Sequence, residues 1–407
     1  MKLRLRTGIL ACAVAIAVAA CGSGGSGSGG SSSTSSSGSV LKVGAVISES
    51  GALDTLGVTE LAAIQAYVTT ANQHGGIDGH KIKLTVVNDQ STPSVSATAT
   101  RQLIEQDGAQ VIIGPDDQGL TAAAAPIAIA AKVPMLQMGG NWPITGLSSS
   151  QSTADVFPVI PDTNTLVIKA LTDQILQPEH YTKVGVLLDN TSYSLAFETP
   201  MAKAAKQNGL TVTTQVMPAG STDATAQALN LLKTHPDIIV VGSPPGPDSI
   251  TSIKAIRAQS PTIPIYVDQA SASAAFASAV GASNLNNVDI IEPATSDVSL
   301  LPAGSPYLPD NNEFLSAMKT QGKYPTPATQ GTAFLGWTAM SELKYAITKA
   351  KSTNAPDVVT ALQHENGYVT YIHWARTPSN YGGFAGYAIY MVKYANGQFV
   401  KATSFTT

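Results

Sequence analysis

Cysteine is nearly missing from this chain: two occur in 407 residues, Cys12 and Cys21. Cys12 lies in an apolar N-terminal run expected to be removed, which leaves one thiol for the mature chain. That count excludes a disulfide framework and a cysteine zinc site. Histidine is scarce as well. The six histidines (74, 80, 180, 235, 364, 373) form no HxxxH or HxH pair, so spacing predicts no metal site, and no cofactor is expected. Charged residues are only 12% of the chain, with a formal net charge of −4. No basic stretch follows the first six residues, and without a cationic face to neutralise phosphates nucleic acid is not an expected partner. Long hydrophobic runs are absent too. The nearest candidate, AAAAPIAIAAKVPML, is broken by Pro126, Lys132 and Pro134 and reads as a buried helix feeding a strand. No GxSxG elbow, HExxH pair or GxxxxGK[ST] loop occurs, so the chain is not expected to be an enzyme. The 43% hydrophobic content is ample for a core, and the length predicts two to three domains.

The N-terminus reads as an export signal over residues 1–20. Lys2, Arg4 and Arg6 precede a short apolar run from Gly8 to Ala20, too short to span a bilayer. Val18-Ala19-Ala20-Cys21 resembles the bacterial lipobox. The resemblance implies acylation of the Cys21 thiol, cleavage before it, and a durable anchor, since stable attachment takes more than one acyl chain. Residues 22–39 are only Gly, Ser and Thr, a flexible tether with a coil dimension of roughly 20–25 Å. GSGGSG and GSGSGG within it match GxGxxG, but neither follows a strand or opens a helix, so neither binds a dinucleotide.

From Leu41 the pattern alternates strand and helix. LKVGAVI (41–47), KIKLTVV (81–87), QVIIG (110–114) and VPMLQM (133–138) read as strands, and KVGVLL (183–188), TVTTQVM (211–217), DIIVVG (237–242) and IPIYV (263–267) resume the pattern. Helical stretches separate them, one opening at Pro93, where a missing N–H costs nothing. GGIDG (75–79) is a turn rather than a phosphate cradle. Repeated β-α units predict an α/β fold with two doubly wound parallel sheets. Asn396-Gly397 between alternating apolar residues predicts a C-terminal hairpin.

NQHGGIDGHKIKLTVVNDQSTPSVSATATRQLIEQDGAQVIIGP (72–115), LLDNTSYSLAFETPM and DIIVVGSPPGPDSITSIKAIRAQ together resemble the periplasmic binding proteins that serve branched-chain amino acid ABC transporters. The resemblance implies two Rossmann-like lobes joined by three crossover strands, with the ligand cleft between them. It divides the body into residues 41–160 plus 291–377 and residues 161–290 plus 378–407, after an acylated linker over 21–40.

Ligands bind beyond the carboxyl ends of strands in open parallel sheets, where helix N-termini present free N–H groups. The loops in question are 48–57, 115–121, 139–143, 189–193, 243–248 and 268–271. By the resemblance, Gln118 stands where a serine holds the ligand carboxylate, and Gly139 and Asn141 stand where a small residue and a threonine help. Tyr193 matches a cleft tyrosine, or packs at a helix start. Leu56 stands near an aromatic, Pro245 replaces a second tyrosine, and Gln269 stands near the glutamate that pairs with the ligand ammonium. Trp142 either stacks on ligand or packs its loop. Asp116 and Asp117 read as loop acids, helix caps or substitute counter-charges, and Asp268 as a further substitute. Asp89 reads as orienting a strand-helix turn.

These residues imply a lipid-anchored, extracytoplasmic and monomeric binding protein. It would deliver a small polar solute, an amino acid or related metabolite, to an ABC permease and its ATPase subunits. A sensor of the same fold signalling to a membrane partner is the rival reading, and an amide or small aromatic acid is the rival ligand. Cys21→Ala is expected to abolish acylation and to move the protein from membrane to soluble fractions, or to hold it as precursor. Unchanged partitioning, with no lipid mass on the wild type, would remove the anchor.

Overall fold

The computed structural model describes residues 40–139, 155–243, 246–268, 272, 274–293, 301–323 and 327–402, with the backbone alone at 55, 163, 192, 193, 274, 275 and 327–331. Cys21, Asn141, Trp142, Pro245 and Gln269 lie outside the described residues, as does the side chain of Tyr193.

The first sheet grows from a strand buried almost end to end. β1 (Leu41–Ile47) exposes only Lys42, the continuous apolar run expected where helices cover both faces of a parallel sheet. α1 (Asp54–Gln73), β2 (Ile82–Asn88), α2 (Pro93–Glu105), β3 (Val111–Ile113), α3 (Gln118–Ala131), β4 (Met135–Gln137) and β5 (Val156–Pro158) follow. The strands run parallel in the order β2-β1-β3-β4-β5. The turn before β2 needs its glycine: at Gly76 φ is 90° and a Cβ would stand 2.0 Å from the His80 carbonyl oxygen.

The second sheet repeats the plan. α4 (Thr163–Leu171) runs into a π-helical turn (Thr172–Leu176), then β6 (Lys183–Asp189), α5 (Ser192–Leu195), α6 (Glu198–Asn208), β7 (Thr211–Met217), α7 (Thr225–Leu232), β8 (Ile238–Val241), α8 (Pro247–Gln259), β9 (Ile265–Val267), α9 (Ala274–Val280) and β10 (Val288–Pro293). Strands β7, β6, β8, β9 and β10 are parallel. The chain then returns to the first sheet with α10 (Leu308–Thr320), α11 (Pro327–Ala350) and α12 (Ala355–Gln363). A small sheet of β11 (Asn366–Val369), β12 (Ile372–Ala375) and β13 (Phe384–Tyr387) comes next. β14 (Ile389–Ala395) and β15 (Gln398–Lys401) close the chain, β14 antiparallel to β10. Asn396 and Gly397 both have positive φ, 53° and 82°, as a two-residue hairpin turn requires. Sheet membership thus changes between β5 and β6, after Pro293 and at Ala388. The lobe limits read from the sequence, 290/291 and 377/378, fall inside β10 and between β12 and β13.

α11 lies close enough to α1 that a Cβ on Gly336 would stand 2.3 Å from the Glu60 carbonyl oxygen. Trp337, next along, packs edge-on to Tyr67 at 4.7 Å between ring centroids. Further along α11, a fully buried ionic knot ties four segments together. Arg376, just past β12, donates from Nη2 to Glu342 Oε2 on α11 at 2.7 Å and to the Pro158 carbonyl of β5 at 2.6 Å. Its Nε lies 3.2 Å from Glu365 Oε2, a close ion pair without hydrogen-bond alignment. Its guanidinium sits 4.0 Å from the Trp374 ring centroid. Burial raises the Glu342 carboxyl well above its usual range and the Glu365 carboxyl to about 7, although the Arg376 charge pulls both down. One cation thus faces two acids, and burial settles the imbalance by favouring a proton on the pair.

Arg376→Met is expected to lower the unfolding free energy by about 3–5 kcal/mol, because it strands two buried carboxyls and frees the Pro158 carbonyl. Urea unfolding measures it, and a loss under about 1 kcal/mol would show that the knot does not hold these segments.

Candidate functional site

The first half of the site forms where β1, β3 and β4 end. α3 begins there with Asp117 as its N-cap: Oδ1 accepts from the backbone N–H of Gly119 at 2.7 Å and of Leu120 at 3.4 Å. That engages one oxygen of the Asp117 carboxylate, as the helix-cap reading expects. Gln118 follows as the first residue of the helix, where N–H groups lack intrahelical partners. Gly139, just past β4, packs against this start: a Cβ there would stand 2.5 Å from the Asp117 carbonyl carbon and 2.7 Å from the Gln118 nitrogen. The Gly139 N–H donates to Gln137 Oε1 at 2.6 Å, and Gln137 Nε2 has no partner among the described residues. Leu56 stands half-buried in the first turn of α1. Its neighbour Gly57 closes on Asp116, where a Cβ would come within 2.6 Å of Oδ2. Four of the expected residues, Leu56, Asp117, Gln118 and Gly139, therefore converge on one strand-end ledge.

Beneath the ledge lies an acid stack. The Ser48 N–H donates to Asp116 Oδ2 at 3.0 Å, and Ser48 Oγ lies 2.9 Å from both Asp116 Oδ1 and Asp89 Oδ1. A hydroxyl has one hydrogen, so it serves one carboxylate, and the other contact needs a proton on the acid. Asp116 is the acid placed to carry it. Burial pushes its carboxyl up to about 6, against the Ser48 hydrogen bonds and with a small push from the Asp89 charge. Asp89 Oδ1 also accepts from the Ser91 N–H at 3.0 Å, which orients the strand-helix turn as expected. Glu60 adds a third acid. It is fully buried, neither oxygen has a partner among the described residues, and burial followed by the Asp116 charge raises its carboxyl well above the usual range. Ser48, Gln137 and Glu60 were not singled out from the sequence. Glu60 carried a readable signal, an acid on the face of α1 that also holds Gly57, Leu61 and Ile64.

The second half forms where β6, β8 and β9 end. Asp189 Oδ1 accepts from the Thr191 N–H at 2.8 Å and orients the loop into α5, which carries Tyr193 in its backbone. Asn190 Oδ1 accepts from the Ala219 N–H at 2.7 Å. Ser243, past β8, is fully buried and its Oγ has no partner among the described residues. α8 opens at Gly246 with a reciprocal bond to Ser249, its N–H donating to Oγ at 3.2 Å. Asp268 ends β9 fully buried. Among the described residues no group of three or more His, Cys, Asp or Glu could hold a metal ion, and no helix is long and apolar enough to cross a membrane.

The sequence profile of the family described as "Periplasmic binding protein" matches residues 40–397. The chain belongs to that family. A curated relative, "Leu/Ile/Val-binding protein homolog 8" of Brucella abortus, is 26% identical over 211 residues, 49% of this chain and 51% of the relative. The chain thus spans about half the length of that relative. An extracellular ligand-binding receptor from Rhodopseudomonas palustris superposes with a TM-score of 0.72 at 21% identity, covering 89% of this chain and 99% of that one. The substrate-binding protein of a branched-chain amino acid transporter from Streptococcus pneumoniae, solved with isoleucine, gives 0.66 at 22% identity, with 89% and 100% covered. These two structures establish the fold, the two-lobed α/β architecture expected from the sequence.

The acid stack sets a pH dependence. Asp116 has a folded pKa of about 6, above the unfolded value of 3.8, so its contribution is complete below the lower value and is lost as pH rises through the upper. Asp116→Asn keeps a donor for Ser48 and removes the titration. Between about pH 5 and about pH 7 the wild type is expected to lose about 1 kcal/mol more stability than this variant. Equal losses in urea titrations at the two pH values would show that Asp116 is ionised throughout.

Proposed function

We propose that the chain is the solute-binding component of an ABC importer. By this reading Cys21 and its tether hold it on the extracytoplasmic face of a cell membrane, as a monomer, and its strand-end loops clasp a small polar solute between the lobes. The observation that carries the reading is the ledge formed by Gly139 and the start of α3. Only a residue without a side chain lets the β4 loop approach the helix N-terminus this closely, and that end turns the positive pole of the helix toward an anionic or polar ligand atom. The names of the relative and of the isoleucine-bound neighbour support an amino acid or a close metabolite as the solute class.

Residue types argue that the solute carries less charge than leucine, isoleucine or valine. Gln118 stands in place of a serine and Gln269 near the place of an acid, and an amide both donates and accepts, which suits a neutral polar group. Asp116 does not replace the missing acid, because the Ser48 N–H and hydroxyl already engage both its oxygens. Asp117 commits one oxygen to its helix cap. A ligand ammonium without a charged partner forfeits on the order of 1.5–3 kcal/mol.

Calorimetric titration of residues 40–407 with leucine, isoleucine and valine tests the assignment. Weak or no binding is expected for all three. The solute that does bind is expected to lose about tenfold in affinity in Gln118→Ala and to shrink the radius of gyration as the lobes close. Sub-micromolar affinity for any of the three amino acids would restore them as substrates.

A further inference from the structure

A groove of about 490 Å³ lies between α10, α11 and β11, away from the strand-end loops. Its floor is an aromatic pair: Tyr345 of α11 and Tyr368 of β11 stack with ring centroids 4.7 Å apart and planes 25° apart. At one side stands Asp310, half-buried and already oriented, with Oδ1 accepting from Trp337 Nε1 at 3.2 Å and from Ser341 Oγ at 2.9 Å. Burial pushes its carboxyl up to about 6, so it is mostly ionised at neutral pH. Glu313 lies one turn further along α10. Lys344 of α11 lies on the groove, with Lys349 just over one turn beyond it. Among the described residues no ion pair within 4 Å joins these acids to these lysines. Opposite charges that surround an aromatic floor without pairing with one another leave both signs open to a third party.

We propose that this groove is an accessory binding site for a small zwitterionic aromatic molecule, of the class of an aromatic amino acid. Its ammonium meets Asp310, its carboxylate meets Lys344 or Lys349, and its ring lies on the Tyr345–Tyr368 pair. The volume falls in the range of small-molecule sites. Aliphatic amino acids lack the ring, and aromatic amines or acids alone leave one charge of the groove unanswered.

The test uses residues 40–407 and three probes, L-phenylalanine, phenethylamine and phenylacetate, followed by ligand-observed NMR titration. L-Phenylalanine is expected to bind in the range of about 1 mM or tighter, and each half-charged probe about tenfold more weakly. Asp310→Asn, which keeps the shape of the carboxylate, and Tyr345→Ala are each expected to weaken L-phenylalanine about tenfold. Gln118→Ala, on the strand-end ledge, is expected to leave it unchanged. Three outcomes would overturn the proposal: no binding of L-phenylalanine, binding indifferent to both groove variants, or binding abolished by Gln118→Ala. The last would place the probe in the cleft and leave the importer reading standing.

Discussion

The arrangement turns on one buried cation. Arg376 reaches α11, the start of β11 and the last residue of β5 with a single guanidinium, stacked over Trp374. All of these groups are buried, so Glu342 and Pro158 depend on the guanidinium for a hydrogen bond and Glu365 for its counter-charge. The partner at Pro158 matters most. That carbonyl is the last of the first sheet before the chain departs for the second, so the position of the crossing is set by an interaction inside one lobe.

The same logic, too few hydrogens for too many oxygens, recurs under the strand-end ledge. Ser48 stands between Asp89 and Asp116 with one hydroxyl hydrogen, and Glu60 behind them has no partner at all among the described residues. A proton on Asp116 resolves the first conflict at mildly acid pH, because burial raises that carboxyl to about 6. The ledge above sets a helix start and the Gln118 amide over an acid whose oxygens Ser48 already engages, which is why the solute argument leans toward neutral polar chemistry.

Much of this fold was legible in the sequence. LKVGAVI and TVTTQVM are strands at the limits read from them, and Asn396-Gly397 makes the hairpin its dihedral preference dictates. Local chemistry determines such features. Of the candidate site, place after strands picked out the loops and the family resemblance picked out Leu56, Gln118 and Gly139 on them, while Asp89 was read from its turn. Ser48 was not picked out, because its importance comes from partners 41 and 68 residues away in sequence. The Arg376 knot was equally hidden, since Pro158, Glu342, Glu365 and Arg376 show no mutual spacing that periodicity could detect. Of the roles open to Asp117 in the sequence, the helix cap is one the structure shows, by the distance to the Gly119 N–H.

The π-helical turn at Thr172–Leu176 has a mechanical consequence. Asp173 accepts from the Tyr387 hydroxyl at 3.1 Å, and Gln174 Nε2 donates to the Ile389 carbonyl at 3.0 Å. These bonds fasten the segment that follows the first passage between sheets to the residues that make the last one. A turn behind the first passage and the strand of the last are therefore held in register by two side-chain bonds. Any displacement of the last passage is thereby passed on to the turn that follows the first.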